Sequence, residues 1–169
     1  MDAKRNIDYS LNIDFLMAAF TQYSGNSEML SKVEISVDIL DFCNALSYLA
    51  DIFSHTGDIK ILNALILYVD RAYGYPAEYS SRLLVNMFLQ QPKVFISVLA
   101  AKDEQTRKAI IDAMVFGIWN NQQKGNVLEV INKDLDLTDS REKNTVSLLI
   151  RKINSKFADN QTNDKDSHI

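Results

Sequence analysis

The chain has 169 residues, 47% of them hydrophobic and 24% charged. That is one domain's length, with enough apolar side chain to form a core without a metal or disulfide. A net charge of −4 and a pI near 5.1 exclude the basic face that nucleic-acid binding needs. The single cysteine, Cys43, excludes an intrachain disulfide, and five glycines and two prolines are too few for the turns of a sheet-rich fold.

The N-terminal stretch MDAKRNIDYSLNIDFLMAAF places Asp8 and Asp14 where a secretory leader needs an unbroken apolar run. A helix from Asp8, ended by Gly25, is expected there instead. From Ser36 to Ser54 the apolar residues Ile39, Phe42, Leu46, Leu49 and Phe53 recur at steps of three and four, the spacing of one helix face. Ser36 suits the N-cap, Asp38 the first turn and Gly57 the stop. Residues Asp58 to Tyr73 are apolar nearly all round (Ile61, Leu62, Leu65 and Ile66 among them). This predicts a central helix buried on several sides. Pro76 suits the first turn of the next helix, which runs to about Gln90. Pro92 closes it and opens a shorter one to Ala101.

Asp103 is placed to cap a helix running through Ile110 and Met114 to Trp119, with Asn120, Asn121 and Gly125 ending it. A short helix over residues 126–133 follows. The last helix is capped by Asp139, with Glu142 three residues on. Its stripe is Val146, Leu149, Ile150, Ile153 and Phe157. Arg151, Lys152 and Lys156 sit in its last turns, where cations complement the helix dipole. Residues 158–169, ADNQTNDKDSHI, hold two apolar side chains. They are expected to form a disordered tail beyond a domain spanning residues 1–157.

The fold class expected is therefore all-α, with seven or eight helices on short links. Asn44-Ala45-Leu46 recurs as Asn63-Ala64-Leu65, and Asp51 meets Asp70 at the same offset. Helix pairs at this spacing resemble, in pattern, a short HEAT- or armadillo-type array. The other form open is an irregular bundle.

Chemistry finds few footholds. The two histidines are His55 and His168, too few for a His-based zinc site on a rigid element. Asp134, Asp136 and Asp139 miss the calcium-loop register, because Asp139 stands at the sixth position and Thr145 at the twelfth. Cys43 lies roughly 18 Å along the helix axis from His55, its only candidate base. No nucleophile elbow, phosphate loop or dinucleotide fingerprint is present. No metal, cofactor or catalytic residue is assigned, and no run is long enough to span a membrane.

One stretch stands out, YVDRAYGYPAEY over residues 68–79, which holds four of the seven tyrosines. Tyr68, Arg71, Tyr75 and Tyr79 would line an edge at a helix corner, and Tyr and Arg concentrate binding energy at interfaces. The same rings could equally seal the end of the core. The function expected is a non-catalytic protein-interaction module, of scaffold, adaptor or inhibitor type, using that edge for a protein partner. The alternative is a small-ligand carrier or enzyme with a pocket between helices. The chain is expected to be soluble, with the cytoplasm favoured, although a leader ahead of this sequence would change that.

Overall fold

The computed structural model describes residues 39–69 and 75–163. Among them the periodicity of three and four resolves into seven helices and no strand. These are α1 (Ile39–Thr56), α2 (Ile59–Val69), α3 (Tyr75–Gln90), α4 (Pro92–Ala100), α5 (Glu104–Gly117), α6 (Asn121–Asp134) and α7 (Ser140–Asn163). The all-α expectation holds. The helix expected from Asp8 and the Ser36 cap lie outside the described residues.

Local chemistry sets the helix ends. Gly57 takes φ +67°, the left-handed region that costs glycine least, and its N–H closes α1 on the Phe53 carbonyl at 2.7 Å. The Asp58 carboxylate accepts from the Lys60 N–H at 2.9 Å and starts α2. Asp103 accepts from the Thr106 N–H at 2.9 Å, and Asp139 from the Arg141 and Glu142 N–H groups at 2.7 and 3.1 Å. Both caps stand where the sequence placed them. A single residue, Gln91, joins α3 to α4, and Pro92 opens α4. The chain turns by 116° there. The Gln91 side chain donates to the Ser54 carbonyl at 2.8 Å, which ties the turn to the end of α1.

Four expected boundaries and one expected position need correction. Helix α5 stops at Gly117, two residues before Trp119. Asn120 does not end that helix but caps the next, accepting from the Gln123 N–H at 2.9 Å. Helix α6 therefore starts at Asn121 and carries Gly125 inside it. Helix α7 continues to Asn163, past the expected tail boundary at 158; residues 164–169 lie outside the described set. The central helix is α3, not α2. Ile59 and Leu67 of α2 are exposed, whereas α3 packs against α1, α2, α4, α5 and α6. Its sequence hides this, because Ser80 and Ser81 occupy core positions. Each returns its hydroxyl to the Ala77 carbonyl, at 3.1 and 2.7 Å, so no buried donor is stranded.

Alternate helices are neighbours. Helix α3 packs against α1 and α5, α5 against α7, and α4 against α2 and α6. That succession is the connectivity of an α-α repeat array. Further contacts of α4 with α7 and of α3 with α6 draw the array into a bundle. The core between the layers includes Phe53, Leu62, Phe88, Phe95, Ile111 and Met114. Phe88 and Phe95 meet edge to face, with centroids 5.8 Å apart.

Helix α5 approaches α3 backbone to backbone at Gly117. A Cβ added to Gly117 would lie 2.4 Å from the Ser81 carbonyl oxygen and 3.0 Å from the Arg82 nitrogen. Only glycine fits. Gly125 has nothing within 4 Å of the same position. Gly117→Ala should therefore lower stability by about 2–3 kcal/mol, because the two backbones must move apart. Gly125→Ala should raise it by about 0.5–1 kcal/mol through helix propensity alone. Urea unfolding with matched slopes reads both. Equal effects of the two substitutions would mean that the crossing is not tight.

Candidate functional site

The tyrosine corner is only partly assembled at the surface. Tyr68 is 4% exposed and belongs to the core, so it is no surface anchor. Arg71 lies outside the described residues, and Tyr75 opens α3 with a side chain outside them as well. Tyr79 is half-buried against the core, and its hydroxyl shares a hydrogen bond with the Ser47 hydroxyl of α1. That bond joins α1 to α3. Tyr79→Phe and Ser47→Ala should each cost about 1 kcal/mol. The double variant should lose little more than either single, as a thermal double-mutant cycle would show.

A second constellation forms at the C-terminal end of α5. Three elements build it. Helix α5 stops at Gly117, and Ile118 leaves it with extended backbone (φ −82°, ψ 110°). Trp119 is 52% exposed, and Phe116, three residues earlier, is 60% exposed. From α3, Arg82 lays its guanidinium 3.3 Å from the centre of the Trp119 ring, a cation–π stack. Glu78, one turn earlier, holds the same guanidinium at 2.6 Å. Arg82 Nε is buried with no acceptor among the described residues, and there Glu78 and the indole face hold the group.

From α7, Lys156 reaches the end of α5. Its Nζ donates to the carbonyls of Val115, Phe116 and Ile118 at 2.8, 3.2 and 2.7 Å. It caps the negative end of another helix rather than complementing its own, which corrects the sequence reading. Burial pulls its ammonium below the ordinary lysine value, while the three carbonyls hold the proton in place. Lys124 of α6 stands 5.1 Å from the Phe157 ring centre. Lys152 pairs with Asp112 at 2.6 Å.

Two surface grooves are lined wholly by described residues. One, about 600 Å³ and open to solvent, runs between α1 and α3 with Ser47, Asp51, Ser54, His55, Asn86 and Gln90 on its walls. His55 Nδ1 sits 2.8 Å from the Asp51 carbonyl oxygen. Ser54 donates to the Ala50 carbonyl at 2.8 Å rather than to His55, so the groove holds no Ser–His relay. The other, about 640 Å³, is an open apolar groove beside α4, with Ile59, Val94, Val98 and Leu137. A narrow void of about 10 Å³ among Leu46, Leu49, Ile61 and Leu65 has room for about one water. Burial pushes the Cys43 thiol up, away from the reactive thiolate. Among the described residues no three His, Cys, Asp or Glu side chains converge. No single helix there is long and apolar enough to cross a membrane.

Compared with known proteins, the chain matches no protein family, no curated protein and no solved structure.

Sequence reasoning passed over Arg82, Phe116, Trp119 and Lys156 as a group. The only signal available was a unique tryptophan followed by two asparagines that end or start a helix. Lys156→Met should cost about 1–3 kcal/mol, because it takes a charged donor from the partly buried Val115 and Ile118 carbonyls. The emission of Trp119 should shift as residues 118–120 loosen. An unchanged melting curve and spectrum would show that Lys156 does not hold this end of α5.

Proposed function

We propose that this protein is a non-catalytic interaction module whose anchor for a protein partner is the Phe116–Trp119 surface, with Arg82 beneath it. One observation carries the reading. Two large aromatic side chains, three residues apart in sequence, stand more than half exposed at the end of α5, where Lys156 of α7 holds the backbone and Arg82 of α3 holds the indole. Such rings are normally spent on the core. Trp and Arg are the residues around which interface energy concentrates, and a pre-fixed anchor loses little entropy on binding. Tyr79, half-buried and already bonded to Ser47, belongs to the support of α3 in this reading. A scaffold, adaptor or inhibitor would each use such a surface.

The second reading, a small-ligand carrier, draws on the polar groove between α1 and α3. That groove is open along its length, whereas small-molecule sites bury most of their ligand. The surface reading is therefore preferred.

The test is a pair of substitutions. Phe116→Ala with Trp119→Ala should leave the melting temperature within a few degrees of the parent, because exposed rings contribute little to the core. A partner purified on the parent chain from its native host should lose at least about 2 kcal/mol of affinity for the double variant by calorimetry. Undiminished affinity for a folded double variant would refute the assignment.

A further inference from the structure

We infer that the Phe116–Trp119 surface takes an acidic segment of its protein partner, one with carboxylates flanking an apolar or aromatic side chain. This rests on the interaction reading above and adds the chemistry of the occupant. Arg82, Lys124 and Lys156 all stand against rings of this end of the bundle, over Trp119, Phe157 and Phe116. Among the described residues Glu78 pairs with Arg82, and Lys152 and Asp112 neutralise each other nearby. The negative end of α5 is already answered by Lys156. With those pairs balanced, Lys124 and Lys156 leave this corner positive among the described residues, in a chain whose net charge is −4. A cationic partner is disfavoured by these cations, one of which, Arg82, already occupies the indole as a cation–π partner.

An anionic occupant can pair with Arg82 and Lys124 while its apolar side chain covers Phe116 and Trp119. Polyanions such as nucleic acid or an anionic membrane draw their affinity from many cations spread over a face. The chain's net charge of −4 works against such polyanions. A short acidic peptide, touching only this corner, escapes that repulsion.

Trp119 is the only tryptophan, so its emission reports on this surface alone. The full chain is titrated with a glutamate–tyrosine copolymer under tryptophan-selective excitation. The controls are poly-L-lysine, oligothymidylate and phosphatidylserine vesicles. The copolymer should give a saturable change in emission, weakening as salt rises. Lys124→Glu and Arg82→Gln should each reduce its apparent affinity by about tenfold. Circular dichroism checks that both variants are folded, and Lys124→Glu, on the surface of α6, stands alone if Arg82→Gln unfolds.

The inference is overturned if the copolymer leaves emission unchanged, if poly-L-lysine acts equally, or if oligothymidylate or vesicles bind more tightly. It is also overturned if Lys124→Glu has no effect. The partner-affinity measurement tests whether the surface binds at all, and this titration tests only the charge it accepts. The titration can therefore fail while the interaction reading stands, and a failure of the partner-affinity measurement is distinct from it because that failure removes both.

Discussion

The contact on which the arrangement turns is backbone against backbone. Helix α5 presses its last residue, Gly117, onto the Ser81 carbonyl of α3, with no room for a single added carbon. Small residues on both sides make this possible, since Ser80 and Ser81 are buried on α3 and satisfy themselves within their own turn. Helices that approach so closely gain dispersion contacts along their whole length. That approach makes α3 the hub. Once α5 is seated on it, the positions of α6 and α7 follow through links of a few residues.

The same contact shapes the surface. Ending α5 at Gly117 leaves carbonyls at this end open to outside donors, and Lys156 from α7 donates to those of Val115 and Phe116 and to that of Ile118 just beyond the helix. The chain then leaves extended at Ile118, whose side chain is fully buried, and exposes the next residue, Trp119. Arg82 follows Ser81 directly on α3, so the crossing that fixes Ser81 also puts Arg82 under the indole. One tight contact thus positions the cation, the ring and the lysine cap together. The exposed aromatic pair is a rigid feature of the fold rather than a stray apolar side chain.

The two candidate edges differ in what their polar groups already do. At the tyrosine corner, Tyr68 is inside and Tyr79 holds α1 to α3. At the end of α5, the lysine cap fixes the backbone and the guanidinium covers one face of the indole, leaving Trp119 and Phe116 each more than half exposed. Binding energy is available where apolar area remains to be covered and the groups beneath are already ordered. The described tyrosines Tyr68 and Tyr79 are thus engaged in the fold, whereas Trp119 keeps about half of its surface exposed.

The sequence by itself determined the class of fold and much of its punctuation. The spacing of Leu46, Leu49 and Phe53, or of Leu149, Ile153 and Phe157, commits each segment to a helix whatever it packs against. Asp103, Asp139 and Gly57 act on their own backbone within a few residues, so their roles were legible too. Tertiary structure alone decided which helix is central, which rings are covered and which helix end Lys156 serves. Ser80 and Ser81 read as polar surface until a second backbone lies on them. Tyr68 and Trp119 are both amphipathic rings near helix ends, and nothing local distinguishes the one that is buried from the one that is not. Lys156 acts across 38 to 41 residues of sequence, beyond the reach of any periodicity. Local rules set the torsions of each segment, whereas burial and long-range hydrogen bonds depend on what the rest of the chain brings alongside, and that is fixed only when the helices pack.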